Sequence, residues 1–274
     1  MAAVLSAGRF NPADLFAEGS RSLPKQAAAV KDREQADGWG AAFYSAAGGL
    51  EIVKSRGPVS AEKDRFAQAV DKNRSGLALA HIRRASNPLG LPRKRLINSA
   101  CTQPFSGNGF VFSHNGTLEI PAEIRSTLGK YEKFVAGDND SEVLFWQLMK
   151  MLDAYGDPAT ALEMAVKEIR TVWLSVRDRH PRKKTPYNGL NIFLSDGRAL
   201  WVLCHFTGAA GKEALMTPGW KSGSIAWRKD AGKAIFASEP LDDGPWREMS
   251  DPQLAEARLD GKNVTLKMKT LELE

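Results

Sequence analysis

Cysteine is scarce in this 274-residue chain: Cys101 and Cys204 are its only two. Two thiols without metal-ligand spacing exclude a disulfide framework or a zinc cluster, and point to a reducing, cytoplasmic setting. Long apolar runs are missing too. None approaches the ~20 residues that a membrane-crossing helix needs, so no membrane partner is expected. The opening Met1-Ala2-Ala3-Val4-Leu5-Ser6-Ala7 has neither the basic segment nor the apolar length of a secretory leader. Linkers, internal repeats and low-complexity tracts are also absent, so residues 1–274 are expected to form a single domain. No motif asks for a metal or an organic cofactor.

What is present is ordinary for a globular chain, with 43% hydrophobic and 26% charged residues, enough for a substantial core. The balance is basic, with a formal net charge of +6. The cations concentrate in Arg93-Lys94-Arg95 and in residues 177–184, which include Arg177, Arg179, Arg182, Lys183 and Lys184. Neither run is interleaved with aromatics, and no helix-turn-helix, finger or RNA-binding pattern accompanies them. Solubilising loop charge explains both runs better than a nucleic-acid surface.

Pattern reading predicts a short strand over 4–7, then a helix from Asn11-Pro12 to about Glu18, where Gly19 would stop it. Two strands over 38–44 and 50–55 read as a hairpin around a turn at 46–49. Ser60 is placed to cap a helix running to about Asp71, and 77–82 reads as a strand buried on both faces. Residues 87–99 read as a loop. Two helices follow, over 140–154 and from Asp157-Pro158 to about Val176, each with apolar residues at helical spacing. Further strands are expected over 190–195 and 199–205, hinged on Asp196-Gly197, and over 224–228, 234–238, 255–259 and 263–268. Helices between and beside so many strands imply two sheets covered by helices.

The chemistry concentrates in three places. Ser113-His114-Asn115-Gly116 reads as a polar turn closing the apolar strand that starts at Gly109-Phe110-Val111-Phe112. A side-chain amide beside a glycine N–H suits an oxyanion. Ala80-His81-Ile82-Arg83-Arg84-Ala85-Ser86 ends another apolar strand in a cation, and Arg offers a planar fork matched to a carboxylate. Asp138-Asn139-Asp140-Ser141-Glu142 opens a helix with carboxylates. Each has a plain structural alternative: a hairpin turn for Asn115-Gly116, a strand-end cation for Arg83, a helix cap for Asp140, with Asp138 or Asn139 equally able to cap. Together they describe a pocket for an amino acid that undergoes acyl transfer.

Taken in order, Asp37-Gly38-Trp39-Gly40, His81-Ile82-Arg83, Thr102-Gln103-Pro104-Phe105, His114-Asn115-Gly116, Asp140-Ser141-Glu142 and Ala237-Ser238-Glu239-Pro240-Leu241 with Trp246 resemble the type 2, N-terminal-nucleophile glutamine amidotransferase domain in a stand-alone form. The resemblance spans nearly the whole chain. It implies an α+β fold, a four-layer αββα sandwich of two mainly antiparallel sheets. It also implies a site in which Arg83, with Ser86, holds the α-carboxylate of glutamine or a γ-glutamyl compound, Asp140 the α-ammonium, and Asn115 with Gly116 N–H the oxyanion. His114 falls beside the substrate. The family's nucleophile is an N-terminal cysteine exposed by removal of Met1, and here that position is Ala2. Three explanations stand open: a replaced nucleophile, a natural pseudoenzyme, or chemistry transferred to another group such as Cys101. Cys204 reads as core. The expected activity is hydrolysis of a γ-glutamyl amide, lost with the thiol, and the expected alternative is a glutamine-binding sensor or scaffold for a separate synthase subunit.

Overall fold

The computed structural model describes residues 1–44, 49–71, 74–206, 213–230 and 232–273. Thirteen strands form two antiparallel sheets. In chain order they are β1 (Ala2–Phe10), β2 (Trp39–Tyr44), β3 (Leu50–Ser55), β4 (Arg74–Ile82), β5 (Phe105–Gly107), β6 (Phe110–Leu118), β7 (Tyr187–Ser195), β8 (Ala199–Cys204), β9 (Ala226–Asp230), β10 (Lys233–Ala237), β11 (Arg247–Glu248), β12 (Gln253–Asp260) and β13 (Asn263–Thr270). The helices are α1 (Ala13–Phe16), α2 (Leu23–Ala28), α3 (Lys63–Val70), α4 (Arg93–Leu96), α5 (Pro121–Ser126), α6 (Asp140–Tyr155) and α7 (Pro158–Val176). One sheet has the order β11-β9-β10-β1-β4-β2-β3 and the other β13-β12-β8-β7-β6-β5. None of the described helices is long and apolar enough to cross a membrane.

Strand alternation sorts the side chains into layers. Leu5, Ala42, Leu77 and Leu79 of the first sheet meet Val111, Phe193, Leu200 and Val202 of the second in a shared core. Their neighbours Val4, Ala41, Phe43, Ala78 and Ala80 face outward onto α1 to α3 through Phe16, Leu23 and Phe66. Across the second sheet, Phe112, Ile192, Leu194 and Trp201 pack on α6 and α7 through Phe145, Leu148, Leu162 and Ile169. The result is the four-layer helix–sheet–sheet–helix arrangement that was expected. Residues 77–82 are indeed buried on both faces.

Asn-Gly chemistry sits elsewhere than expected. Asn108 (φ 51°) and Gly109 (φ 81°) make the tight turn between β5 and β6, and β6 then runs unbroken through Ser113, His114, Asn115 and Gly116. Asn115-Gly116 is therefore mid-strand, paired with Asn191 and Leu190 of β7, and not a turn. The helix expected over 11–18 is the short α1; Gly19 lies so close to Leu241 O that an added Cβ would sit 2.7 Å from it, and a separate α2 follows with Pro24 in its first turn. Helix α3 starts at Lys63 rather than Ser60, and Glu62 at its head accepts a hydrogen bond from Trp39 Nε1 (2.8 Å). The loop 87–99 contains the single turn α4. The Asp196-Gly197 hairpin forms as read, with Asp196 Oδ1 accepting from Arg198 N and Ala199 N. The turn expected over 46–49 lies largely outside the described residues.

Candidate functional site

Two strands and one helix start converge on one polar cavity. Strand β4 delivers His81 and leads into Arg83 and Ser86. Strand β6 delivers His114, Asn115 and Gly116, and α6 begins beside them at Asp140. The helix start is fixed by Asn139, whose side chain accepts from Ser141 N (2.7 Å) and donates to Cys101 O (2.8 Å). Asn139, and not Asp138 or Asp140, is the cap. Together these elements enclose a polar cavity of about 140 Å³ whose lining includes His81, Arg83, Ser86, Gln103, Asn115, Gly116 and Ser141.

The Arg83 side chain is 2% exposed. Its Nη1 donates to Leu96 O (2.7 Å) and more distantly to Asp37 O (3.4 Å). Its Nη2 is buried with no partner among the described residues. Burial pulls the guanidinium below its ordinary value, with Asp37 and Asp140 among the groups that oppose the shift. Half of a planar fork is thus committed to the protein and half is open. An unmet buried donor costs about 1–3 kcal/mol, so a ligand carboxylate here would remove a standing penalty. Asp37 also anchors the segment over the cavity: its Oδ2 accepts from Ala85 N (2.8 Å) and its Oδ1 from Arg93 (2.5 Å). Arg95 reaches Asp138 (2.6 Å) in the same way. Part of the first basic run therefore serves as clamps on this strap.

Asp140 is near Arg83 but not open. One oxygen accepts from Ser86 Oγ (2.5 Å), the other from Leu118 N (2.8 Å), and the residue is 2% exposed. Its carboxylate reaches the cavity through the Ser86 hydroxyl. His114 lines the cavity as well, with both ring nitrogens engaged within the protein. Its Nε2 lies 3.0 Å from Gly189 O and its Nδ1 2.9 Å from Ser141 Oγ, while its backbone exchanges two hydrogen bonds with the Gln103 side chain. Burial holds this imidazole below its ordinary value. A carbonyl partner at Nε2 makes that nitrogen the donor and Nδ1 the acceptor.

Gly116 is needed where it stands. At φ +145° an added Cβ would lie 2.0 Å from Gly189 O, so only glycine lets β6 approach β7 here. Gly40 plays the same part on the other side, where a Cβ would fall 2.3 Å from Gln103 O. Beside Gly116, Asn115 Oδ1 lies 3.1 Å from His81 Nε2 and Asn115 Nδ2 donates to Ser238 Oγ (2.7 Å). The amide is therefore oriented from both ends, and its second N–H remains for a ligand. Burial pushes His81 well below its ordinary value, so the ring is neutral and Nε2–H is its donor to Asn115. His81 is 3% exposed. It is buried, yet it also orients the site.

Strand parity sets the facing of the first residues. The Ala2 side chain faces outward, into the helix-side core with Val4, Ala80 and Ala237. Met1 and Ala3 face the space between the sheets. Met1 also lines a second cavity of about 190 Å³ with Asn115, Ser238 and Glu239. Cys101, the alternative nucleophile, is fully buried with Sγ 3.5 Å from Arg95 O and lines neither cavity. Cys204 lies between the sheets, where burial pushes its thiol up to about 12. Among the described residues no cluster of three potential metal ligands occurs.

Sequence reading missed Gln103, Ser141, Asn139 and Arg84 as cavity walls. Gln103, Ser141, Ser238 and Glu239 all fell inside the matched motifs, but only their neighbours had been given roles.

A family model described as class II glutamine amidotransferases matches residues 21–214. Among solved structures, a glutamine aminotransferase class-II domain protein from Silicibacter pomeroyi is similar, at 20% identity and a TM-score of 0.60, with 97% of each chain covered. The glutamine phosphoribosylpyrophosphate amidotransferase of B. subtilis, solved with ADP and GMP, is similar over 97% of this chain and 48% of that one, at 13% identity and a TM-score of 0.60. A structure described as the allosteric regulatory enzyme of purine biosynthesis gives 14% identity and a TM-score of 0.61, with the same coverage of 97% and 48%. The chain thus spans about half the length of these last two. No curated protein matches it. At such identities the structural likeness speaks for the fold.

Proposed function

The chain belongs to the class II glutamine amidotransferase family, and from that premise we propose that its polar cavity holds the glutamyl half of glutamine or of a γ-glutamyl amide. One observation carries this reading: Arg83, whose buried Nη2 has no partner among the described residues, lines the same small cavity as Asn115 and Gly116. Arg83 Nη2 would take the α-carboxylate. The α-ammonium would sit beside Ser86, whose hydroxyl relays the charge of Asp140. The γ-carbonyl would lie against the free N–H of Asn115 and the N–H of Gly116. Those two donors suit the oxyanion of acyl transfer, where the loss of one donor costs on the order of 10²–10³ in rate.

Cleavage needs a nucleophile as well, and residues 1–274 bring no thiol to this cavity. Ala2 faces the other way, and both cysteines lie elsewhere. We therefore read the chain, as it stands, as one that binds the ligand of a hydrolytic family without taking the covalent step. A glutamine-responsive sensor, or a scaffold for a separate synthase subunit, fits that description. Calorimetric titration with L-glutamine tests it. Saturable binding is expected, and D-glutamine should give none because its ammonium and carboxylate cannot both be met. Absence of heat with L-glutamine and with γ-glutamyl amides alike would remove the reading.

A further inference from the structure

The second cavity is too large for what glutamine alone would place there. It adjoins the first, and Asn115, Gln35 and Arg84 line both. A γ-carbonyl against Asn115 would direct its amide nitrogen into this second space. Ammonia fills little more than a water's share of volume, about 30 Å³, whereas the space is about 190 Å³. Its walls are polar and carry two cations, Arg33 and Arg84. Among the described residues, the partners of Arg33 are neutral: Glu213 O (3.2 Å) and Ser222 Oγ (3.4 Å). The wall carboxylate, Glu239, is spoken for: its two oxygens accept from Leu215 N (2.8 Å) and Met216 N (2.7 Å). The space therefore combines room for several heavy atoms with a surplus of positive charge.

Resting on the γ-glutamyl reading above, we propose that the preferred ligands are γ-glutamyl-amino acids, with the second carboxylate of the ligand taken by Arg33 and Arg84. The first cavity recognises the glutamyl zwitterion, and the second reads the acid on the amine half. An uncharged amine half gains only contact there, and glutamine leaves the space to water.

Calorimetry with three probes tests this: γ-glutamylglycine, γ-glutamylethylamide and L-glutamine. γ-Glutamylglycine should bind about tenfold more tightly than the other two, the scale of one added charge-assisted hydrogen bond. Arg33→Gln should erase that advantage while the affinity for L-glutamine, which Arg33 does not touch, stays unchanged and reports an intact fold. Equal affinity for the three probes would overturn the inference and leave the γ-glutamyl reading in place. An advantage that survives in Arg33→Gln would overturn it as well, since the carboxylate would then be held elsewhere. Failure of all three probes to bind would overturn both the inference and the reading beneath it.

Discussion

Two of the regions that offer space in this molecule differ in what they leave undone. Between α7 and β7 lies a cavity of about 270 Å³, lined by Trp173, Leu174, Pro186 and Tyr187 with Arg170 and Lys184 among its walls. Two of its polar groups are paired with each other: Tyr187 Oη lies 3.0 Å from His205 Nε2, and His205 Nδ1 lies 2.7 Å from Asp251. The polar cavity under the strap is about half that size, yet its lining residues include Arg83 and His81, whose buried Nη2 and Nδ1 have no partner among the described residues. Volume by itself does not mark a site. Unmet buried donors and acceptors do, because the fold tolerates their cost only where something else offsets it.

The largest effect expected from this contrast is the gain of a reaction. The polar cavity has carboxylate and oxyanion groups but no nucleophile, and residue 1, just ahead of β1, lines the second cavity that adjoins it. A Met1→Cys variant freed from a cleavable leader should release glutamate and ammonia from glutamine. Burial lowers the α-amine at this position to about 5, so it is neutral at pH 7 and able to take the thiol proton. Ala2→Cys with Met1 retained should stay inactive, because a one-residue shift moves the side chain to the opposite face of the strand. Activity from the second variant and not the first would mean that β1 changes register when the site is used.

Arg83→Ala comes next. Removing a buried guanidinium that meets a carboxylate should weaken glutamine binding about 100-fold or more, measured by calorimetry. Unchanged affinity would place the carboxylate elsewhere and leave the polar cavity no better than the apolar one.

A smaller effect concerns pH. His81 and His114 are both held below their ordinary value, chiefly by burial, so the folded state favours their neutral forms. Their contribution to stability is complete above the unfolded value of about 6.5 and is lost as pH falls below it. The thermal midpoint should therefore drop on acidification from about pH 7 to about pH 5. His81→Gln keeps an N–H donor for Asn115 but does not titrate, and should flatten part of that drop. A slope identical to the parent's would show that His81 is not buried neutral.

How much of this was legible in advance depended on range. Strand and helix existence was legible because burial imposes period two on β4 and period 3.6 on α6 and α7, and local sequence carries both. Arg83, Asn115 and Gly116 were found because their motifs recur in a family. The direction of Ala2 was not legible: facing is set by how β1 pairs with β4 and β10, through Ala2 opposite Ala80 and Ala237, and no local pattern in an Ala-rich start records it. Asn115-Gly116 misled for a related reason. Asn-Gly is a turn signal locally, but Gly116 is demanded here by Gly189, a residue 73 positions away in sequence. The engagement of His114 by Gly189 and Ser141 is equally non-local.

The smallest effect belongs to the apolar region. Leu174 is 64% exposed, and Leu174→Asn should change stability by no more than about 0.5 kcal/mol and leave glutamine affinity alone. The two regions nevertheless share a strand. β7 carries Tyr187 into the apolar cavity, presents Gly189 O to His114 in the polar one, and places Asn191 on the wall of the second chamber. A strand so placed could transmit a change at one end only by moving Gly189 against Gly116, where there is no room for even a methyl group. Rigid contact of that kind predicts independence. If Leu174→Asn weakens glutamine binding, β7 moves as a unit and the two regions are parts of one site.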